Sequence, residues 1–203
     1  MGAESSIMTQ SLIEGDSHIA RTLSGSNEWF TPAIYIEAAR RVMDGIELDP
    51  ASCAEANKVV RATRYYTKSD DGLLLPWIAA SVFVNPPYGR IGGKSNQVLW
   101  ADKLIAEYES GNIKQAVLLI NACTGTACVQ KLLLNYPICF VRGRIRFVGS
   151  GKSEQGPTHD NLFCYLGPNE QRFMDVFSRF GKCVPVFGQQ QQVTLWDLES
   201  EAS

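Results

Sequence analysis

Along the chain, stretches with helical spacing of apolar residues alternate with short runs that are apolar throughout. Ile34, Ile36, Ala38, Ala39, Val42 and Met43 form a helical stripe. Pro32 stands where a first helical turn tolerates it, and Gly45 ends the segment. Ile46-Glu47-Leu48 reads as a short strand running into Asp49-Pro50, and Ser81-Val82-Phe83-Val84 as a strand stopping at Asn85. Residues 98–108 suit a helix closed by Gly111, 116–120 a buried strand, 126–134 a helix and 138–141 a strand. A strand over 162–166, a helix over 171–180 and a last strand over 183–186 complete the pattern. Short apolar strands separated by helices predict an α/β fold, a mostly parallel sheet with helices on both faces. In such sheets ligands bind beyond the carboxyl ends of the strands. Asp49 and Asn85 each sit at one of those ends.

The same pattern divides the chain. Residues 1–26 are polar and rich in Ser and Gly and read as a mobile arm. Residues 27–188 form the one domain, and 189–203 a polar, acidic tail. Within the tail, Val193-Thr194-Leu195-Trp196 suits either a late strand or docking on a partner. No apolar run approaches the roughly 20 residues that span a bilayer. The N-terminus also lacks the basic and apolar pattern of a signal peptide, so the expected compartment is the cytoplasm. The formal net charge is -2, so any nucleic-acid binding has to rest on a local basic surface. The 6 cysteines are scattered, and only 2 histidines accompany them. Without clustered ligands they read as buried structural thiols, with no metal and no disulfide expected.

The densest chemistry lies in Asn85-Pro86-Pro87-Tyr88. Two prolines fix the backbone and remove two N–H donors, which leaves carbonyls and the Asn85 side-chain oxygen facing outward. Such an acceptor-rich turn holds an amino group by its hydrogens and pushes the nitrogen lone pair toward an electrophile. No strong base is needed when the leaving group is a sulfonium. Tyr88 offers a flat face on which a base can stack. The competing reading is a plain Pro-Pro turn after a strand. Upstream, Trp29-Phe30-Thr31-Pro32 opens the first helix, with Thr31 placed as an N-cap and a carboxylate site. Asp49-Pro50-Ala51-Ser52 ends a strand where a carboxylate suits an ammonium and small residues admit a ligand, or where Asp simply caps a short helix. Asp70-Asp71-Gly72-Leu73 offers an acid for an adenine amino group, or a turn.

Together these segments resemble the phage-type DNA N-6-adenine methyltransferases, the Dam family of phages and prophages. Glu28-Trp29-Phe30-Thr31-Pro32, Glu47-Leu48-Asp49-Pro50-Ala51-Ser52 and Ala56-Asn57-Lys58 with Tyr65-Tyr66-Thr67 carry the likeness. So do Asp70-Asp71-Gly72-Leu73, Asn85-Pro86-Pro87-Tyr88-Gly89 and Arg142-Gly143-Arg144-Ile145-Arg146-Phe147, over about residues 27–185. The resemblance implies a Rossmann-like fold and S-adenosyl-L-methionine as methyl donor. Thr31 and Asp49 to Ser52 would lie near its methionine part, with Trp29 and Pro32 beside them, and Asp70 and Asp71 near its adenosine. Asn85 to Tyr88 would hold a flipped adenine of double-stranded DNA, in restriction-modification or a related role. The Asp49 segment departs from the pattern in lacking the glycines of the usual cofactor loop. The short stretch 50–84 leaves little room for second and third strands.

Arg142, Arg144 and Arg146 alternate in a strand-like stretch, with Phe147 next and Lys152 beyond. Period two puts the arginines on one face, which suits phosphates, though an edge strand kept soluble by charge has the same pattern. Arg90 and Lys94 lie in a glycine-rich, mobile segment after the loop, suited to closing over a base or touching the strand. A plain surface loop or a dimer contact fits as well. An Asn-Pro-Pro-Tyr loop also occurs in enzymes that methylate RNA or protein glutamine. The alternatives are therefore those substrates, or a catalytically silent DNA-binding protein.

Overall fold

The computed structural model describes residues 29–149 and 159–186. The expected arm, the tail with its apolar run, and Lys152 lie outside the described residues. The chain opens with β1 (Trp29–Phe30), α1 (Ala33–Met43), β2 (Leu48–Asp49), α2 (Ala54–Val60), β3 (Arg64–Tyr65) and β4 (Ala79–Val84). A hairpin of β5 (Arg90–Ile91) and β6 (Lys94–Ser95) leads into α3 (Asn96–Glu109). Then come β7 (Ile113–Asn121), α4 (Ala127–Asn135), β8 (Ile138–Val141), β9 (Val148–Gly149), β10 (Asn161–Leu166), α5 (Glu170–Phe177) and β11 (Gly181–Val184).

Seven strands form one sheet in the order β11-β8-β10-β7-β4-β2-β3. β3, β2, β4 and β7 run parallel, so the carboxyl ends of β2, β4 and β7 share one edge. β10 is antiparallel to both β7 and β8, and β11 is antiparallel to β8. β8 therefore points the same way as β7 and ends on the same edge. The result is a mixed sheet with a parallel core, in keeping with the Rossmann-like fold that the sequence resemblance implies.

Alternation along β7 and β10 sends side chains into two cores. Val117, Leu119, Phe163 and Tyr165 pack with α1 and α5 on one face. Leu118, Ile120, Leu162 and Cys164 pack with α3 and α4 on the other. Both faces are covered, which is why these strands read as unbroken apolar runs. Phe163 sits at an aromatic junction, its ring 5.4 Å from Tyr35 and 4.9 Å from Phe177.

Several expectations need correction. The 142–147 stretch is not a strand, because no partner strand pairs with it. Arg142, Gly143 and Arg144 are all exposed, and Ile145 is the one buried residue, lying between exposed Arg144 and Arg146. The segment after Tyr88 is an ordered hairpin: Gly92 (φ 55°) and Gly93 (φ 80°) take the positive φ that a two-residue turn needs. No helix begins at Pro50; α2 starts at Ala54, capped by the Cys53 sulfur accepting from the Ala56 N–H at 3.4 Å. Of the cysteines, Cys139, Cys164 and Cys183 are buried, Cys53 and Cys128 partly so, and Cys123 is exposed. Among the described residues no helix is long and apolar enough to cross a membrane.

Emptying the aromatic junction by Phe163→Ala removes a fully buried ring from the larger part of one core. Urea unfolding should show a loss of about 3–5 kcal/mol. A loss under about 1 kcal/mol would mean that the two sides of the sheet are not packed as described.

Candidate active site

Asn85 leaves β4 at the carboxyl edge, and its side-chain nitrogen donates to the Thr31 hydroxyl at 3.2 Å. This corrects the expected role of Thr31. The N-cap of α1 is Pro32 (φ -56°, ψ 140°), with no side-chain capping bond. Thr31, one residue earlier and buried, turns its hydroxyl to the loop instead. Because the Asn85 nitrogen is committed to Thr31, the amide is oriented with its oxygen as the acceptor end. Pro86 is buried and Pro87 exposed, so the turn is anchored on one side and open on the other. Helix α3 holds its far end: the Asn96 N–H donates to the Gly89 carbonyl at 3.0 Å, and the Asn96 side chain to the Tyr88 carbonyl at 3.5 Å.

A cavity of about 740 Å³ opens beside this loop, within the range of small-molecule and cofactor sites. Thr31, Asp49, Pro50, Ala51, Ser52 and Asp71 line it, together with Asn85 to Tyr88. Pro32 and Asp70 do not line it. Asp70 spends its carboxylate within its own turn, accepting from the Thr67 N–H at 2.7 Å and the Thr67 hydroxyl at 2.6 Å. Trp29 is placed by its backbone alone, pairing with Gly149.

Asp49 is the buried charge of the cavity wall. Burial pushes its carboxyl up from the ordinary 3.8 to about 7, opposed by the Ala51 N–H that donates to it at 3.1 Å. A carboxyl so placed gains strongly from a cationic group brought beside it. The Asp71 turn is pressed against this segment. A Cβ on Gly72 would lie 2.1 Å from the Pro50 carbonyl oxygen and 2.8 Å from Trp100, so only glycine lets the two loops approach. The Gly72 carbonyl accepts from the Trp77 indole at 2.7 Å, which fixes the turn from beneath.

Sequence reasoning missed Asn96, Trp100, Lys68 and Ile91, which also line the cavity. Asn96 Oδ1 and Trp100 Nε1 are buried and find no hydrogen-bond partner among the described residues. Only the position of Asn96, just after the hairpin, hints at its role.

Among the described residues expected to contact DNA, Arg90 and Lys94 follow the loop and Arg142, Arg144 and Arg146 follow β8, and none of them lines the cavity. Arg90 braces the hairpin, its Nε donating to the Gly93 carbonyl at 3.0 Å. Arg142, Arg144 and Arg146 follow the end of β8 and are exposed. Arg144 pairs with Asp160 at 3.1 Å. Phe147, by contrast, packs against the core beneath α1. β9 then pairs antiparallel with β1 and stitches the arginine segment to the residues just before Thr31. No group of three or more metal-ligating side chains occurs among the described residues.

The model of a family described as DNA N-6-adenine-methyltransferase (Dam) matches residues 20–166. No curated protein matches the chain.

The buried Asp49 carboxyl makes stability depend on pH. Between about pH 4 and 7 the folded chain keeps a proton that the unfolded chain releases, so stability falls as pH rises through this window. The loss is on the order of 4 kcal/mol for a shift of this size. Asp49→Asn should flatten that part of the profile and be more stable than the parent at pH 8, as read by denaturant titration across pH. Parallel profiles for the two proteins would contradict the burial of this carboxyl.

Proposed function

The chain belongs to the DNA N-6-adenine-methyltransferase (Dam) family, an enzyme family, and from that premise we propose that Asn85, Pro86, Pro87 and Tyr88 hold a flipped adenine for methylation at N6. The observation that carries this reading is the oriented Asn85 amide, tied by Thr31 at the mouth of a cavity whose wall bears the buried Asp49.

The family implies S-adenosyl-L-methionine, and the cavity suits it in size and donor set. A buried carboxyl that gains from a cation, a glycine that admits close approach, and buried polar atoms without protein partners all fit. Thr31 and Asp49 to Ser52 would hold its methionine part, and Asp71 its adenosine. When bound, this cofactor supplies a methyl group on a sulfonium, a strong electrophile with a neutral leaving group.

The chain's own residues do the rest. Asp49 would hold the cofactor's ammonium, and its carboxyl would give up its proton to do so, so binding would be favoured as pH rises through neutrality. The Asn85 oxygen accepts a hydrogen bond from the adenine amino group and turns the nitrogen lone pair outward. The rigid prolines keep that acceptor in place without reorganisation. Tyr88 stacks on the extruded base, offsetting part of the few kcal/mol that flipping costs. No side chain of the loop is a base, so the amine's surplus proton leaves to water. Arg142 and Arg146 contact phosphates, and so does Arg144 with part of its charge spent on Asp160. Sequence readout falls to the hairpin with Arg90 and Lys94 and to the arginine segment, the two exposed elements flanking the loop.

With unmethylated duplex DNA and radiolabelled cofactor, label should appear in N6-methyladenine after digestion to nucleosides. Asn85→Ala should cut turnover by roughly a hundredfold or more while cofactor affinity changes little by calorimetry. Label in cytosine, or only in RNA or protein glutamine, would overturn the substrate. Undiminished turnover of the variant would overturn the role of Asn85.

A further inference from the structure

The hairpin after the Asn85 to Tyr88 loop carries an apolar side chain that the fold does not use. Ile91 is 56 % exposed. It packs into neither core, and its partner across the hairpin is Lys94. Its neighbours Arg90, Gly92 and Gly93 are exposed as well. Yet Ile91 also lines the cavity, alone among residues 90–94. Part of the side chain therefore faces the pocket and the rest faces solvent, at the mouth. A lone exposed isoleucine needs no explanation on its own; its placement does.

The hairpin holds that side chain firmly. Gly92 and Gly93 close a two-residue turn with positive φ at both positions. The Arg90 Nε donates across it to the Gly93 carbonyl at 3.0 Å. At the base, the Asn96 N–H donates to the Gly89 carbonyl at 3.0 Å, which ties the hairpin to α3. A β-branched side chain adds its own stiffness at χ1. Only Gly89 and Arg90 separate Ile91 from Tyr88, so the chain keeps the two within about 11 Å. A duplex that gives up an adenine to the loop must lie against the same spot. Arg90 and Lys94, flanking Ile91, present cations there for its phosphates.

We propose that Ile91 is a wedge: it enters the gap that the extruded adenine leaves in the base stack and keeps the base from returning. This rests on the adenine-flipping reading above. Extrusion breaks a base pair and opens an apolar gap to water, at a cost of a few kcal/mol. An apolar side chain that fills the gap recovers part of that cost, and isoleucine is among the residues that proteins insert between base steps. Because Ile91 is exposed in the free chain, seating it against bases removes its apolar surface from water. It makes no bond to the reacting atoms, and its effect falls on the extrusion step alone.

Single-turnover methylation of two related substrates tests it. One is a duplex holding a sequence that the parent methylates. The other is the same duplex with an abasic residue opposite the target adenine, whose pairing is already lost. Ile91→Ala should lower the rate on the intact duplex by roughly tenfold, about the worth of two buried methylene groups. On the abasic duplex the loss should be under about twofold, because extrusion there costs least. Ile91→Leu should keep most of the parent's rate on both. Cofactor affinity by calorimetry and melting temperature should not change, since Ile91 belongs to neither core. A fluorescent aminopurine in place of the target adenine should brighten less with Ile91→Ala than with the parent on the intact duplex. Equal losses on both duplexes, or weaker cofactor binding, would make Ile91 a wall of the pocket and overturn the proposal. So would no loss on either. A parent that methylates no duplex adenine at all removes the functional reading itself and the wedge with it. A parent active on both duplexes, with equal losses in the variant, removes the wedge alone.

Discussion

One hydrogen bond, from the Asn85 amide to the Thr31 hydroxyl, decides what the carboxyl edge of this sheet can do. With the nitrogen turned to Thr31, the amide is held in one orientation at the end of β4. Thr31 itself is held in place because β1 pairs with β9 just before it and α1 begins two residues later. The bond therefore joins the start of the described chain to the Asn85 turn, across a separation of 54 positions.

The sheet converts that bond into a site. Parallel β2 and β4 bring Asp49 and Asn85 to the same edge, and β7 adds Asn121. β10 runs the other way, so its first residue rather than its last reaches that edge and places Asn161 there. β8 ends there too and releases the arginine segment beside the loop rather than on the far side of the molecule. The proposed cofactor pocket, base clamp and basic surface would all follow from strand direction. None requires a second domain within the described residues.

The parts of this architecture visible in the sequence are those whose signal is local. β4, β7 and β10 announced themselves as continuous apolar runs because both their faces are buried. Strands β2 and β3 have only two residues each, and Arg64-Tyr65 carries no apolar pattern to find. The alternation of Arg142, Arg144 and Arg146 imitated a strand, but Gly143 (φ 74°) bends the chain between them and no ladder forms. Thr31 before Pro32 looked like a helix cap because the residue it does bond is distant in sequence. Gly92-Gly93 suggested looseness, yet paired positive φ angles make a tight turn. The Asn85 to Tyr88 loop was legible as a unit because its prolines fix its shape from within. Asn96 was not, because a single asparagine acquires meaning only from the loop carbonyls it holds.

A crystal structure of the chain with S-adenosylhomocysteine and a duplex containing an unmethylated adenine bears most directly on the oriented Asn85 amide. An adenine extruded onto Tyr88, its exocyclic amino group within hydrogen-bonding distance of the Asn85 oxygen while the Asn85 nitrogen keeps its bond to Thr31, is the expected result. An adenine bound with its amino group away from Asn85, or an amide turned with its nitrogen toward the base, would contradict it.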